Sequence, residues 1–322
     1  MSKTQSWLVS SHVLFVLILG LVLNGCASVG QNYGCAHGSQ TPTTSPAGVL
    51  VLMTDFGLGD GAVSAMKGVA RETAPSVYVS DLTHEIPPYN IWEAAYRLSQ
   101  TYKYWPKGTV FVSVIDPGVG SERKSIAVKS KSGHIFVGPD NGLMTFIAEQ
   151  AGIESVTVID ESKQRLKGSE ESYTFHGRDL YVYVGARLAG GLVTLEELGK
   201  PATDVIKLPY QRPEFKMTKA GGEIAGTIPV LDPNYGNVWS NIPKAMFEEH
   251  FKGAKSVRLK IPKIGFNQVV PVTDTFAGVA KGKPLVYFNS LLNVSIALNQ
   301  DDFARKYHVK SGPEWLMVIS AP

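Results

Sequence analysis

The chain has 322 residues, 44% of them hydrophobic, and a formal net charge of only +3. That length suits one large domain or two ordinary ones; its Lys and Arg form no basic stripe with interleaved aromatics, which excludes a nucleic-acid partner. Cys26 and Cys35 are its only two cysteines, which excludes a disulfide framework and a cysteine zinc site.

Lys3 precedes an apolar run from Val13 to Leu23, and Leu23-Asn24-Gly25-Cys26 closes it. A positive start, a short apolar region and a small residue before the cut mark a secretory signal. The run is shorter than the roughly 20 residues a spanning helix needs. Its ending resembles a bacterial lipobox. That resemblance implies a signal peptide over residues 1–25, lipid on Cys26 and attachment to the cell envelope. Ala27 follows Cys26, which points to the outer membrane, on its periplasmic face. Residues 26–47 are rich in Gly, Ser, Thr, Gln and Pro and read as a flexible tether. Cys35 is an incidental thiol within it.

Order begins at Gly48. Residues 48–54 read as a buried strand, 55–61 as a Gly-rich loop, and Ala62 to Thr73 as a helix stopped by Pro75. A strand over Val77–Asp81, a turn at Pro87-Pro88 and a helix from Ile91 to about Tyr104 follow. Next come strands at Val110–Ile115, Ser125–Lys129 and His134–Val137, a loop at 138–142, a helix over Leu143–Ala151 and a strand over Ser155–Asp160. A charged surface stretch leads to a helix from Arg178 to Leu188. This alternation predicts an α/β fold whose mostly parallel sheet is covered on both faces, over residues 48–210. Past Pro213 and Gly221-Gly222 the elements are short strands: 224–230, 257–259, 268–272, 285–288, 294–297 and 315–319. A smaller β-barrel domain over 220–322 is expected.

Two stretches carry chemistry: Asp-Pro-Gly-Val-Gly-Ser-Glu-Arg at 116–123 and Thr-Phe-His-Gly-Arg-Asp at 174–179. Pro117 and Gly118 end the apolar run abruptly and set Asp116 at a strand's C-terminal tip, where open α/β sheets place ligands. A carboxylate, a guanidinium and an imidazole at one such edge (Asp116, Arg123, His176) hold and activate a water molecule. Each also has a plainer reading, as turn, surface or structural residue. Asp55 ends the first strand. Gly57-Leu58-Gly59-Asp60-Gly61 lacks the spacing of a pyrophosphate fingerprint, so a carboxylate that accepts paired ribose hydroxyls fits Asp55 better. Asp60 has a helix-capping reading as well. Farther on, beside the Asp232 carboxylate, Asn237, Trp239 and Asn241 place more polar donors in one turn than a turn needs. Phe276, Tyr287 and Ser290 add an aromatic slot and a hydroxyl, although Phe276 and Tyr287 also suit a barrel core.

These blocks, with Thr54-Asp55-Phe56-Gly57, Asp81-Leu82-Thr83-His84-Glu85-Ile86-Pro87-Pro88 and Val137-Gly138-Pro139-Asp140-Asn141-Gly142, resemble the S-adenosyl-L-methionine (SAM) hydrolase (adenosine-forming) family, relatives of the fluorinase and chlorinase. The resemblance covers about residues 49–320. It implies a homotrimer whose ligand sites lie between one subunit's N-terminal domain and its neighbour's C-terminal domain. It implies that Asp116, Arg123 and His176 handle the attacking water, and that Asp55 grips the ribose. Asp232 and Asn237 would meet the methionine part and adenine, Ser290 the methionine carboxylate, and the backbone of Leu298 and Gln300 adenine. No metal or other cofactor is implied. The halide-using relatives carry Tyr and Thr at the positions of Asp116 and Val119, and Arg at that of Leu291. A carboxylate repels halide, so the expected reaction is hydrolysis. A lipid-anchored binding protein without turnover and a SAM-dependent halogenase are the competing readings.

Overall fold

The computed structural model describes residues 47–219 and 221–322. The expected signal peptide, Cys26 and Cys35 lie outside them. Among the described residues no helix is long and apolar enough to cross a membrane.

Seven strands build the first sheet: β1 (Val49–Thr54), β2 (Tyr78–Thr83), β3 (Val110–Val114), β4 (Ser125–Ser130), β5 (Ile135–Pro139), β6 (Ile153–Ile159) and β7 (Gly199–Ala202). Their order is β2-β1-β3-β5-β4-β6-β7. β1 pairs parallel with β2 and β3, and β3 with β5; β4 runs antiparallel to β5 and β6, and β7 to β6. Thus β1, β2, β3, β5 and β6 point one way, as the strand–helix alternation predicts.

The helices of this part are α1 (Ala62–Thr73), α2 (Ile91–Thr101), α3 (Thr145–Gln150), the single turn α4 (Glu161–Gln164) and α5 (Val182–Ala189). Successive strand residues face opposite sides. Leu50 and Leu52 therefore join Met66 and Ala70 of α1 and Val184 of α5 in one core, whereas Val51 and Met53 join Ala94 and Leu98 of α2 and Ile147 of α3 in another. Burial on both faces is why β1 reads as an unbroken apolar run. Each fully buried Leu contributes about 1.5–3 kcal/mol. Gly185 lets α5 lie close on β3, since a Cβ there would collide with Val112 Cγ2. Asn90 caps α2 by accepting from Glu93 N–H at 3.0 Å.

The chain from Glu214 on forms β8 (Glu214–Thr218), β9 (Gly221–Ile228), β10 (Val230–Leu231), β11 (Val238–Pro243), α6 (Lys244–Phe251), β12 (Ser256–Ile261), β13 (Phe266–Pro271), β14 (Pro284–Phe288), β15 (Asn293–Leu298), α7 (Phe303–Tyr307) and β16 (Gly312–Ser320). A barrel is expected here. The strands form two antiparallel sheets, β10-β11-β15-β14 and β13-β12-β16-β9-β8, with an isolated bridge between Val272 and Val286. Ile224, Val257 and Met317 from one sheet and Val238, Val286 and Ile296 from the other share one core. Composition gave no sign of β8, α6 or α7, and the segment read as a turn at 232–242 continues into β11.

Trp92 and Tyr96 of α2 and Phe146 of α3 pack with Val230, and Trp239 leans on the same cluster. Trp92 Nε1–H donates to Pro229 O at 2.9 Å. Arg97 Nη2 donates to Leu231 O at 2.9 Å. These bonds tie the segment before the 232–237 turn to the helical layer.

Candidate active site

The chain leaves β1 toward β2 on one side and returns to β3 on the other, so the β1–β3 boundary is a topological switch point. Crevices at such points hold ligands in open α/β sheets. Thr54 pairs with Val114 across this boundary, which sets Asp55 and Asp116 on neighbouring loops at one edge. A cleft of about 370 Å³ opens there, lined among others by Asp55, Asp116, Val119, Thr174, Phe175 and His176.

Arg123 does not line the cleft; it stands behind Asp116. Its Nε donates to Asp116 Oδ1 at 2.8 Å and its Nη2 lies 2.6 Å from Oδ2. This is the bidentate fork that suits guanidinium and carboxylate. Arg123 Nη1 donates to Ser125 Oγ at 2.9 Å, and Ser125 Oγ–H donates to Glu161 Oε1 at 2.6 Å. His176 Nε2 lies 3.1 Å from Glu161 Oε2. The Tyr181 hydroxyl stands 2.9 Å from Ser125 Oγ and 3.5 Å from Asp116 Oδ2. Asp116, Arg123 and His176 are therefore members of one network, joined through Ser125, Tyr181 and Glu161.

Its electrostatics follow from burial. Burial opposes the Arg123 charge, but the Asp116 carboxylate that it grips and the nearby Glu161 hold its pKa above the ordinary guanidinium value. Burial pushes the Tyr181 phenol far up, which keeps it a neutral donor. Glu161 sits below the usual carboxylate range, chiefly because His176 hydrogen-bonds to it, with Ser125 and Arg123 assisting against burial.

The loop that carries His176 is held from behind. Arg165 Nη2 donates to Ser169 O at 3.2 Å and to Ser172 O at 2.6 Å. Directly after His176 the helix expected over 178–188 opens as a π-turn, Gly177–Tyr181, before α5 begins. Such wide turns recur at functional sites. Asp179, wholly buried, accepts from Arg178 Nε at 2.6 Å and stabilises the turn from inside.

On the opposite side of the cleft, Asp55 Oδ2 accepts Tyr89 N–H at 2.9 Å. Tyr89 has φ +66°, a sparsely populated conformation of the kind that clusters at functional sites. The Asp81–His84 motif anchors this wall. Thr54 Oγ1 lies 2.8 Å from His84 Nδ1, His84 Nε2 3.0 Å from Asp81, and Gly57 N–H donates to His84 O at 2.8 Å. Asp60 accepts Ala62 N–H at 2.8 Å in the bend before α1; the N-cap position itself is Gly61, so Asp60 is a turn residue and not the helix cap.

The eight remaining site residues lie together elsewhere. Asp232, Asn237, Trp239 and Phe276 line a cavity of about 980 Å³ among the C-terminal strands. Tyr287, Ser290, Leu298 and Gln300 line the same cavity. Phe276 and Tyr287 meet at 5.0 Å between ring centroids, on the wall of the cavity and not in the core. Burial pushes the Tyr287 hydroxyl up to about 12, with Trp239 and Ser295 pulling the other way. Asn237 Nδ2 donates to Asp232 Oδ2 at 3.2 Å. Asn241 does not join them: its amide accepts Thr227 N–H at 2.8 Å and donates to Gln211 O at 3.2 Å, so it is structural. Leu291 packs against the Trp92 cluster, away from this cavity.

Glu161, Ser125 and Tyr181 escaped the sequence reading. Glu161 follows a buried strand as Asp55 and Asp116 do, but it opens a charged run, Glu161 to Arg165, that masks it.

Residues 50–199 match the SAM hydroxide adenosyltransferase N-terminal domain, and residues 226–316 match the C-terminal domain. The (R)-S-adenosyl-L-methionine hydrolase of Methanocaldococcus jannaschii is 37% identical over 227 residues, which cover 69% of this chain and 77% of that protein. A fluorinase from an Actinoplanes species is 26% identical over 288 residues, 82% of this chain and 95% of the relative. The crystal structure of an uncharacterized conserved protein from Thermotoga maritima superposes with a TM-score of 0.77 at 31% identity, covering 84% of this chain and 100% of that one.

Proposed function

The chain belongs to the SAM hydroxide adenosyltransferase family, and from that premise we propose that it hydrolyses S-adenosyl-L-methionine to adenosine and L-methionine. The observation that carries this reading is the linked set Asp116–Arg123–Ser125–Glu161–His176 beside Asp55 at the switch-point cleft.

Water attacks C5′ of the ribose in line with the sulfonium, and methionine leaves as a neutral thioether. Sulfonium is already a good leaving group, so the protein mainly orients the water and excludes competing solvent. Orientation alone supplies about 7–11 kcal/mol. Asp55 holds the ribose hydroxyls, Asp116 holds the water while Arg123 fixes its carboxylate from behind, and His176 accepts the water proton. Asp232 and Asn237 meet the methionine part and adenine, Ser290 the carboxylate, and the backbone of Leu298 and Gln300 adenine. Trp239, Phe276 and Tyr287 give the flat slot.

The cleft and the C-terminal cavity share no lining residue. This supports a homotrimer in which one subunit's cleft closes on its neighbour's cavity, a state that light scattering of the purified protein tests. The shared core and the Val272–Val286 bridge support reading the two C-terminal sheets as halves of one barrel. Leu23-Asn24-Gly25-Cys26 supports lipid attachment at Cys26 and an outer-membrane, periplasmic location. Mass spectrometry of the mature N-terminus decides that point.

Chromatography of the protein incubated with SAM, with and without chloride, tests the reaction. Adenosine and methionine are expected in both. A halogenated nucleoside, formed only with chloride, replaces hydrolysis by halogenation. Retention of SAM without product leaves a binding protein.

A further inference from the structure

On the hydrolase reading, we propose that Glu161 is a positioning residue that fixes His176 in its Nε2–H tautomer and so makes Nδ1 the atom that takes the proton from water. Glu161 opens α4 two residues past the end of β6. Its oxygens have separate tasks: Oε1 accepts from Ser125 Oγ–H at 2.6 Å, and Oε2 faces His176 Nε2 at 3.1 Å. An ionised carboxylate only accepts, so the hydrogen between Oε2 and Nε2 belongs to the imidazole. In the neutral ring this leaves the lone pair on Nδ1.

Nδ1 is buried and meets no hydrogen-bond partner, although the His176 ring, 3% exposed, lines the cleft beside Asp116. A buried acceptor without a partner is rare in a folded protein and calls for a use. The other two members of the set offer no such atom. Both Asp116 oxygens already accept from Arg123 at 2.8 and 2.6 Å, and a guanidinium has no lone pair to give.

Charge bookkeeping points the same way. Asp116 and Arg123 cancel, and Glu161, 3.8 Å from Arg123 Nη1, leaves the cluster with one net negative charge. A proton on His176 brings it to neutrality. The Glu161 carboxylate, 3.1 Å from Nε2, stands opposite the positive charge that the reaction creates on the ring. In the step itself the water oxygen bonds to C5′, the C5′–S pair goes to sulfur, and the water proton goes to Nδ1, to be released to solvent later.

The test uses the full chain, ¹⁵N-labelled at histidine, with the His176 signals assigned by their loss in His176→Gln. Nitrogen shifts at neutral pH should report Nε2–H and a bare Nδ1. Glu161→Gln, whose amide can donate to Nε2, should move the proton to Nδ1. Its kcat for adenosine formation should fall by about 10²–10⁴, the general-base contribution, with KM changed only a few-fold. If the wild-type enzyme turns over but shows the Nδ1–H tautomer, or if Glu161→Gln keeps its kcat, the proposal is wrong and the hydrolase reading stands. If the wild type forms no adenosine, both are wrong. The wild-type spectrum decides the tautomer even if the Gln variant fails to fold.

Discussion

The cleft at the sheet edge and the cavity among the C-terminal strands are built by different means. The cleft draws its residues from the ends of β1, β3 and β6 and the start of β4, then binds them into one charged chain of bonds from Asp116 to His176. The cavity is larger, about 980 against 370 Å³. It relies on an aromatic pair, an amide and backbone held in turns. A network in which every member is another's partner fixes atoms to within small tolerances, which chemistry at a carbon demands. A wall of rings and amides gives affinity and shape. The contrast separates making the bond from holding its owner, and mutations should separate them too.

The largest effect is expected at Arg123. Arg123→Ala should lower kcat by about 10²–10⁴ and leave Asp116, with 5% of its side chain exposed, buried without its partner. Breaking such a pair costs about 3–5 kcal/mol. Product chromatography and chemical unfolding measure the two. Arg123→Lys restores the charge without the fork and should recover little activity. Full recovery by Lys would mean the geometry of the network is dispensable, and the contrast with the cavity would collapse.

Gly236 tests the other region. It has φ +62°, and a Cβ there would collide with the Asp302 carboxylate. Gly236→Ala should destabilise by about 1–3 kcal/mol and raise KM, because the same turn carries Asp232 and Asn237. Asn237→Ala, milder, removes one donor from a residue 5% exposed. It should raise KM about tenfold, near 1.4 kcal/mol, with kcat nearly unchanged, the mark of binding lost equally from ground and transition states. A kcat loss as large as that of Arg123→Ala would place Asn237 with the chemistry instead.

How legible each region was follows from what made it. Asp55 and Asp116 stand directly after apolar runs cut by Gly and Pro, so residue order alone placed them at the sheet's functional edge. His176 was legible as an imidazole beside a helix start. Glu161 was hidden, because Glu161-Ser162-Lys163-Gln164-Arg165 reads as a solvated face. What brings it to the site is the antiparallel pairing of β4 with β6, which sets Ile126 against Val158 and so Ser125 near the end of β6. Long-range register of that kind leaves no local period. The π-turn was equally silent, since the apolar spacing of 178–188 is that of an ordinary helix. In the C-terminal part the polar turn around Asp232 and Asn237 and the ring-and-hydroxyl set of Phe276, Tyr287 and Ser290 were legible as residues, Leu298 and Gln300 came from the family resemblance alone, and short alternating strands told of sheets without telling which edges join.

The smallest separation is with acid. Glu161 titrates below its ordinary 4.5 in the folded protein, through His176 first and then Ser125 and Arg123, against burial. Asp81 titrates below its ordinary 3.8, where burial is outweighed by hydrogen bonds from Lys67 and His84. A carboxylate depressed on folding stabilises the protein at pH above its unfolded value, and that stability is lost as the pH falls through the folded value. Both groups belong to the sheet edge. Melting temperature should therefore hold above about pH 5 and drop below it. Glu161→Gln removes one titrating group and should make the drop shallower. Asn237→Ala changes no titrating group and should leave the slope of the drop as it was. The difference should be small, because Glu161 and Asp81 keep 34% and 36% of their side-chain surface in water, where solvent screens the pairs. An unchanged slope in Glu161→Gln would mean that the carboxylate does not hold the imidazole in solution, and the link that joins His176 to the rest of the network would be gone.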